Sequence, residues 1–389
     1  VTIYLDNHAT TRLDPRVLDA MLPWLTDHYG NAGSVTHEMG REARAAVETA
    51  RETIAAAVGA TAREIVFTSG ATESNNLAIL GMAARRGPAR GHVVTVATEH
   101  HAVLDPIEHL ERGGFAVTRL PVAAGTGLVA ADAVAAAFRP DTFLVSVMLA
   151  NNEIGVIHDI PAIADAVHAH GAALHVDCAQ APGRMALRVD ALGADLASFS
   201  AHKCHGPKGA GWLFVRRRER AVRLDPLIFG GGQERGLRSG TLDVPGIVGM
   251  AAAARLAEEG LETDRGLMRL LRDRLWNQLA RSVPGIALNG PSLDDGRLRL
   301  VNNLNVRVPG VDGQTLLETL AGDGLAVSSG SACSSESPRP SHVLLSLGLS
   351  EDEARASLRF GLSRFTTAAE VDAAAATIAA GAARLRALS

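Results

Sequence analysis

Leu196-Ala-Ser-Phe-Ser-Ala-His-Lys-Cys-His-Gly-Pro-Lys-Gly209 opens as a short apolar run that ends in a hydroxyl, then turns abruptly polar. The run has the pattern of a buried strand, and the Gly- and Pro-containing stretch after it reads as a turn. That turn holds Lys203 and Lys208, the only two lysines among the 38 Lys and Arg residues of a 389-residue chain. Coding bias accounts for a general excess of arginine, but not for both exceptions lying in one turn. Arginine can replace lysine on most solvated faces. It cannot condense with a carbonyl, because its guanidinium stays protonated and is a poor nucleophile. A lysine kept at a strand end is therefore a candidate for covalent chemistry.

Around this segment the pattern repeats. Ile65–Thr68, Val93–Ala97, Phe115–Leu120, Phe143–Leu149, Ala173–Asp177 and Trp212–Val215 are predicted strands. Thr72–Arg86, Val103–Arg112, Ala131–Phe138 and Pro161–His170 are predicted helices between them. Alternation of this kind predicts an α/β fold with a mostly parallel mixed sheet and helices on both faces. Ligands of such sheets bind beyond the carboxyl ends of the strands. Near Pro245 the character changes to a long helical stretch reaching about Ser282. Strands Leu300–Val308 and Leu358–Ser363, a helix Gln314–Leu320 and a closing helix Ala368–Leu388 follow, which predicts a smaller α+β domain.

Composition limits the function classes. Apolar residues make up 47% and charged residues 21%, as in ordinary globular proteins, and the net charge is −4. No clustered basic surface predicts direct nucleic-acid binding; Arg216-Arg217-Arg218 reads as a solvated strand end. No apolar stretch is long enough to span a bilayer, and no charged-then-apolar leader precedes Tyr4, which predicts a cytoplasmic protein. The three cysteines, Cys178, Cys204 and Cys333, form no C-x-x-C pair, so neither a disulfide framework nor a structural metal site is expected.

Other strand ends add to Lys203. Thr68-Ser-Gly-Ala-Thr-Glu-Ser-Asn75 leads from a strand through a Gly turn into a helix, whose free N–H groups make an anion site. A plain N-cap has the same composition. In Leu174-His-Val-Asp-Cys-Ala-Gln180 a carboxylate, Asp177, follows a buried strand. Its burial needs a partner, which a protonated ring nitrogen, a helix cap or a local salt bridge could supply. Ser200 and His202 could donate to a phosphate while Lys203 reaches an aldehyde. Phosphate cup, ring-nitrogen partner and Schiff-base lysine together are the parts of a pyridoxal phosphate site. His100, in Thr98-Glu-His-His-Ala102, could stack on the ring and move protons, though with 14 histidines in the chain a structural role is the default for any one of them. Asn151-Asn-Glu-Ile-Gly155 is a further polar cluster after an apolar run. Cys333 lies in the Ser/Gly/Pro-rich segment Val327–Pro340, which reads as an exposed loop suited to a travelling nucleophile, whereas Cys178 and Cys204 read as core thiols.

The chain resembles the cysteine desulfurases of the nitrogen-fixation and iron–sulfur cluster type, in the class V aminotransferase-like pyridoxal phosphate family. The matching stretches run in family order: Tyr4-Leu-Asp-Asn-His-Ala-Thr-Thr11, Phe67–Asn76, Thr98-Glu-His100, Asn151–Gly155, His175–Gln180, Ser200-Ala-His-Lys203 with Gly206-Pro-Lys-Gly209, Gly230–Arg235, Arg238-Ser-Gly-Thr241, Ser328–Cys333 and Leu358-Arg-Phe-Gly361. The resemblance implies the aminotransferase-like fold (fold type I), with a large domain over 15–255. Residues 1–14 and 256–389 would form a small domain carrying the cysteine loop at about 328–341. It implies that Lys203 holds pyridoxal 5'-phosphate covalently, that Ala71, Thr72, Ser200 and His202 bind the phosphate, and that Thr241 joins them from a partner subunit of a homodimer. Asp177 would pair with the pyridine nitrogen, Gln180 with the ring hydroxyl, and His100 would stack and transfer protons. Asn152 and Arg359 would hold the carboxylate of L-cysteine, and Asn152 would also contact the cofactor. Cys333 would take the sulfur as a persulfide for an acceptor protein, a cluster scaffold or a thiolation enzyme, leaving alanine.

The run Ser-Gly-Ser-Ala-Cys followed by a Ser/Pro stretch resembles the long-loop group of that family. Two departures stand out. Cys204 and His205 replace the bulky apolar residue and tyrosine usual after the lysine, to tune the ring or to fill space. The chain also stops soon after Arg384-Leu-Arg386, where housekeeping members continue into a scaffold-docking extension; this makes a dedicated acceptor, for tRNA thiolation, a biosynthetic pathway or DNA sulfur modification, an alternative. A selenocysteine lyase or an aminotransferase on the same fold, neither of which requires Cys333, is the rival enzyme. A catalytically inactive cofactor-binding assembly subunit is the rival of another class.

Overall fold

The computed structural model describes residues 2–294, 296–329 and 340–388. The chain enters through strand β1 (Ile3–Tyr4) and helices α1 (Pro15–Thr26) and α2 (Glu38–Val58). Strands and helices then alternate: β2 (Ile65–Thr68), α3 (Ala71–Arg86), β3 (His92–Val96), α4 (His101–Arg112), β4 (Ala116–Leu120), α5 (Ala131–Ala136), β5 (Thr142–Met148), α6 (Ile160–His170), β6 (Ala173–Asp177), β7 (Leu196–Ser200) and β8 (Gly211–Val215). Next come α7 (Val244–Glu259), α8 (Leu261–Ser282), β9 (Ala287–Leu288), β10 (Asn303–Arg307), α9 (Gly313–Gly322), β11 (Leu325–Ala326), α10 (His342–Ser346), α11 (Glu351–Arg355), β12 (Ser357–Gly361) and α12 (Ala368–Arg386).

The central sheet has seven strands in the order β2-β8-β7-β6-β5-β3-β4. Strand β8 runs antiparallel to both neighbours, and every other pair is parallel. Helices cover both faces, so β3, β5, β7 and β8 are buried along their whole length. The chain leaves β3 outward to β4 and crosses back to β5 on the other side. That reversal of direction opens a crevice beyond the carboxyl ends of β3 and β5. The turns after β2, β3, β5, β6 and β7 all lie at the same end of the sheet.

The main core joins this sheet to α2, α6 and α7, with Phe199 and Trp212 stacked at 4.6 Å between ring centroids. A second core gathers Leu5, three leucines of α8, strands β10 and β12, and helices α9 and α12. The residues just after β1 therefore belong to a distant part of the chain, and β1 itself pairs with β11 in parallel.

Two sequence expectations change. The long helix from Pro245 is two helices, because Gly260, with ψ near 0°, closes α7 and opens α8. Arg216 is not a solvated strand end. It is 5% exposed, donates to the Ala194 carbonyl and pairs with Asp190, so this guanidinium ties β8 to the loop before β7.

The exposed edge of β2 is closed by one carboxylate. Glu234 Oε2 accepts from Phe67 N–H at 2.8 Å and from Arg51 of α2 at 2.7 Å; Oε1 takes a second Arg51 bond at 2.8 Å. Arg51 also donates to the Ile65 carbonyl and lies 4.3 Å from the Phe67 ring centroid. Both side chains are nearly fully buried. Removing one member strands the other charge, which costs about 3–5 kcal/mol. Glu234→Ala is therefore expected to lower the urea midpoint by that equivalent, and Glu234→Gln by less, in unfolding followed by tryptophan fluorescence.

Candidate active site

The strand ends converge on one cavity of about 380 Å³. Ala71 and Thr72 reach it from the start of α3, His100 from the turn after β3 and Asn152 from the turn after β5. Asp177 and Gln180 enter from β6, and Ser200, His202 and Lys203 from β7 and the turn that follows. Lys208 also lines it, from an exposed position. Two predicted residues lie elsewhere. Thr241 is exposed and outside the cavity lining. Arg359, on β12, lines an adjoining space of about 150 Å³ that shares His100, Asn152 and Lys203. Cys333 lies outside the described residues.

At the anion end, α3 starts at Gly70 with no side chain capping its first turn. Gly70 has φ +148°, and a Cβ on the neighbouring Gly211 would come within 2.5 Å of the Gly70 Cα. The two glycines let the start of α3 press against β8, next to the end of β7. The uncapped first-turn N–H groups, Thr72, Ser200 and His202 make a donor-rich cup.

Asp177 is 7% exposed. Its Oδ1 accepts from Ala179 N–H at 2.9 Å and its Oδ2 from Asn75 Nδ2 at 2.8 Å. Both donors are neutral. They fix the carboxylate without cancelling its charge and leave it lone pairs for a cationic N–H in the cavity.

His100 accepts from Ala102 N–H through Nδ1 at 3.0 Å, so in the neutral ring the proton sits on Nε2. Burial, and then the Lys203 ammonium, pushes its pKa down to about 4. Lys203 is half-buried in the turn Ala201–Lys203, with its carbonyl held by Arg184 at 3.1 Å. Cys204 and His205 face away from this cavity: Cys204 Sγ contacts the Ala201 carbonyl, and His205 bonds to Thr11 and Arg12 and meets Phe365 edge-on. They fill space between the turn and the N-terminal segment.

Several residues of the site carry no sequence signal of their own. His8 is fully buried and donates through Nδ1 to Gln180 Oε1 at 3.0 Å, and Arg184 donates to the same oxygen. Gln180 Nε2 donates to the His8 carbonyl, which orients the amide. Asn75, one helical turn after Ala71 and Thr72, is fully buried and donates to Asp177 Oδ2. Arg359 donates to the Asn152 carbonyl at 3.2 Å and pairs with Asp6 at 2.8 Å. The flanks of the Cys333 segment are tied to the same region. Ser328 exchanges backbone bonds with Arg359, and Ser341 donates to the buried Glu153 carboxylate.

A fold with a crevice at the strand reversal, an anion cup, a buried carboxylate and a lysine defines an α/β enzyme of the aminotransferase type. The Aminotransferase class-V family model matches residues 3–374. The chain is 50% identical over 371 residues to cysteine desulfurase IscS of Methylobacillus flagellatus, covering 95% of this chain and 89% of that one. A solved NifS-like protein superimposes with a TM-score of 0.90 at 38% identity, covering 98% of this chain and 99% of that chain. SspA in complex with cysteine superimposes with a TM-score of 0.80 at 37% identity, covering 94% and 100%. The chain belongs to the aminotransferase class-V family and, within it, to the cysteine desulfurases. No helix among the described residues is long and apolar enough to cross a membrane.

The buried histidines give the molecule a pH signature. Burial pushes His100, His158, His175, His202 and His205 down to about 4 and His8 well below its ordinary value. In the unfolded chain each takes a proton near pH 6.5, whereas the folded state resists until about 4. Below pH 6.5 the unfolded state therefore binds more protons, and stability falls as pH falls. Glu99 and Glu153, raised by burial, act the other way but are outnumbered. The denaturant midpoint is expected to drop steadily between pH 6.5 and 4; a flat profile across that window would contradict the neutral-histidine assignment.

Proposed function

We propose that the cavity holds pyridoxal 5'-phosphate and that the enzyme uses it to take sulfur from L-cysteine, leaving L-alanine. The observation that carries the reading is the meeting of Lys203, the Asp177 carboxylate and the uncapped start of α3 in one cavity. The donor set fits the cofactor: first-turn N–H groups, Thr72, Ser200 and His202 suit a phosphate, and Asp177 suits a protonated pyridine nitrogen. When bound, the cofactor supplies an aldehyde for an amine and a ring that accepts an electron pair from the substrate's Cα.

The chain's own groups supply the rest. Lys203 anchors the cofactor and exchanges protons at Nζ. Gln180, locked by His8 and Arg184, offers Nε2 to the ring hydroxyl. His100 would stand at the bound cofactor with its exchangeable proton on Nε2. Arg359 and Asn152 hold the substrate carboxylate. The Cys333 thiolate attacks the substrate sulfur; an S–S bond forms, the C–S bond breaks, and its electron pair stays on the carbon side, which is protonated to alanine. The persulfide then passes to an acceptor protein, a cluster scaffold or a thiolation enzyme. In this reading the protein is a cytoplasmic homodimer, and the exposed Thr241 reaches the phosphate in the partner's cavity. Leu227, Ile228 and Phe229, the last 81% exposed, precede the Gly230–Thr241 segment and form an apolar patch that a second copy would cover.

The test is alanine and sulfide release from L-cysteine with a thiol reductant. The wild type is expected to make both and Cys333→Ala neither; equal activity in the two would replace the desulfurase reading with a lyase mechanism. Asp177→Ala is expected to lower alanine formation by about 10²-fold or more, in line with loss of a group acting on the developing charge.

A further inference from the structure

Arg359 stands on β12 with its side chain 1% exposed, beside the space of about 150 Å³ that it shares with His100, Asn152 and Lys203. A guanidinium taken so far out of water needs partners. Its Nη1 donates to the Asn152 carbonyl at 3.2 Å, and its Nη2 donates to Asp6 Oδ1 at 2.8 Å. Of these two acceptors Asp6 carries the charge, and its side chain is only 17% exposed. A guanidinium is planar and has five N–H donors, so contacts at both terminal nitrogens fix its plane without exhausting it.

Asp6 lies 353 positions from Arg359 in the chain, and its backbone is tied down on both sides. Leu5 is buried in the second core, and its carbonyl accepts from Gly361 N–H at 2.7 Å. Asn7 N–H and Asn7 Nδ2 both donate to the Gly361 carbonyl, at 3.2 and 2.8 Å. The neighbours of Asp6 are thus bonded to the β12 residue two positions past Arg359, which sets the Asp6 carboxylate beside the guanidinium. The Asp6 carbonyl is engaged as well, by Ala9 N–H at 3.0 Å and the Tyr4 hydroxyl at 3.2 Å. Asp6 lines neither the catalytic cavity nor the adjoining space. Its reach to a bound molecule therefore runs through Arg359.

We propose that Asp6 is a positioning residue for the substrate's carboxylate: it holds the Nη2 side of Arg359, so that the guanidinium is set before that carboxylate arrives. The proposal rests on the reading of Arg359 as a holder of the substrate carboxylate. A group oriented beforehand avoids the ordering cost that binding otherwise meets. An exposed ion pair does little of this kind, because solvent and side-chain freedom weaken it, whereas this pair is largely buried. The consequence is selectivity for amines that carry an α-carboxylate.

The experiment titrates the cofactor-loaded protein with L-alanine and with ethylamine, which lacks the carboxylate, and follows the cofactor's absorption. Neither probe carries a thiol, so desulfurase activity does not enter the readout. Asp6→Ala is expected to weaken L-alanine about tenfold, the worth of one hydrogen bond, and to leave ethylamine unchanged. Asp6→Asn keeps an oxygen for Nη2 and is expected to weaken L-alanine about threefold, because a neutral acceptor holds a cation about half as strongly as a charged one. It decides the matter if Asp6→Ala fails to fold. Arg359→Gln is expected to weaken L-alanine at least as much as Asp6→Ala, again without effect on ethylamine. If Arg359→Gln leaves L-alanine unaffected, the reading of Arg359 falls and the proposal with it. If Arg359→Gln is selective but the Asp6 variants leave L-alanine unchanged, or weaken both probes alike, the proposal alone is overturned.

Discussion

The Asp177 carboxylate stands at the buried end of the sheet's middle strand with two neutral donors, Asn75 Nδ2 and Ala179 N–H. A charge in that position is costly unless something cationic meets it. The rest of the site is arranged around that requirement. The parallel strands end on one side, so the turns after them face Asp177 rather than solvent. The start of α3 brings Asn75 to hold the carboxylate on one face of its first turns and a free anion cup on the other. One helix end thereby sets both poles of the cavity, an anion-accepting end and a cation-accepting end.

The second core closes the site from the opposite side. Leu5 and β1 are drawn into it, which carries Asp6, Asn7 and His8 over the cavity. Arg184 is fully charged at neutral pH even though burial lowers it to about 10, and it binds Gln180 together with the carbonyls of Asn7 and Lys203. The N-terminal segment, the Lys203 turn and Gln180 are thus held by one guanidinium. Asn303, on β10, completes the link by donating to His8 and to the Glu153 carbonyl.

The sheet was legible because burial on both faces leaves short apolar runs bounded by turns, and the predicted strands match the observed ones to within a residue in the α/β part. Lys203 was legible through its rarity, and Asp177 and His100 through their places at strand ends. Other parts were not. Strands β1, β9 and β11 are two residues long and cannot show a period. Helix α2 buries Ala43, Val47, Ala50, Ile54 and Val58, a helical stripe whose small members give a weak hydropathy signal. The Gly260 break is invisible because glycine is tolerated within helices as well as between them. Asn75, His8 and Arg184 act through partners 102, 172 and 177 positions away, and no local pattern records such pairs. Arg216 misled for the opposite reason, since a cluster of three arginines looks solvated until one of them meets buried carbonyls.

In the proposed function the strand-end turn after β7 carries the cofactor on Lys203 and not on its neighbour Lys208, which lines the same cavity. Borohydride reduction of the cofactor-loaded protein, followed by proteolysis and mass spectrometry of the two lysine-containing positions, tests this directly. The reduced cofactor's mass is expected on Lys203 alone. Its appearance on Lys208, or on neither lysine, would contradict the assignment on which the site rests.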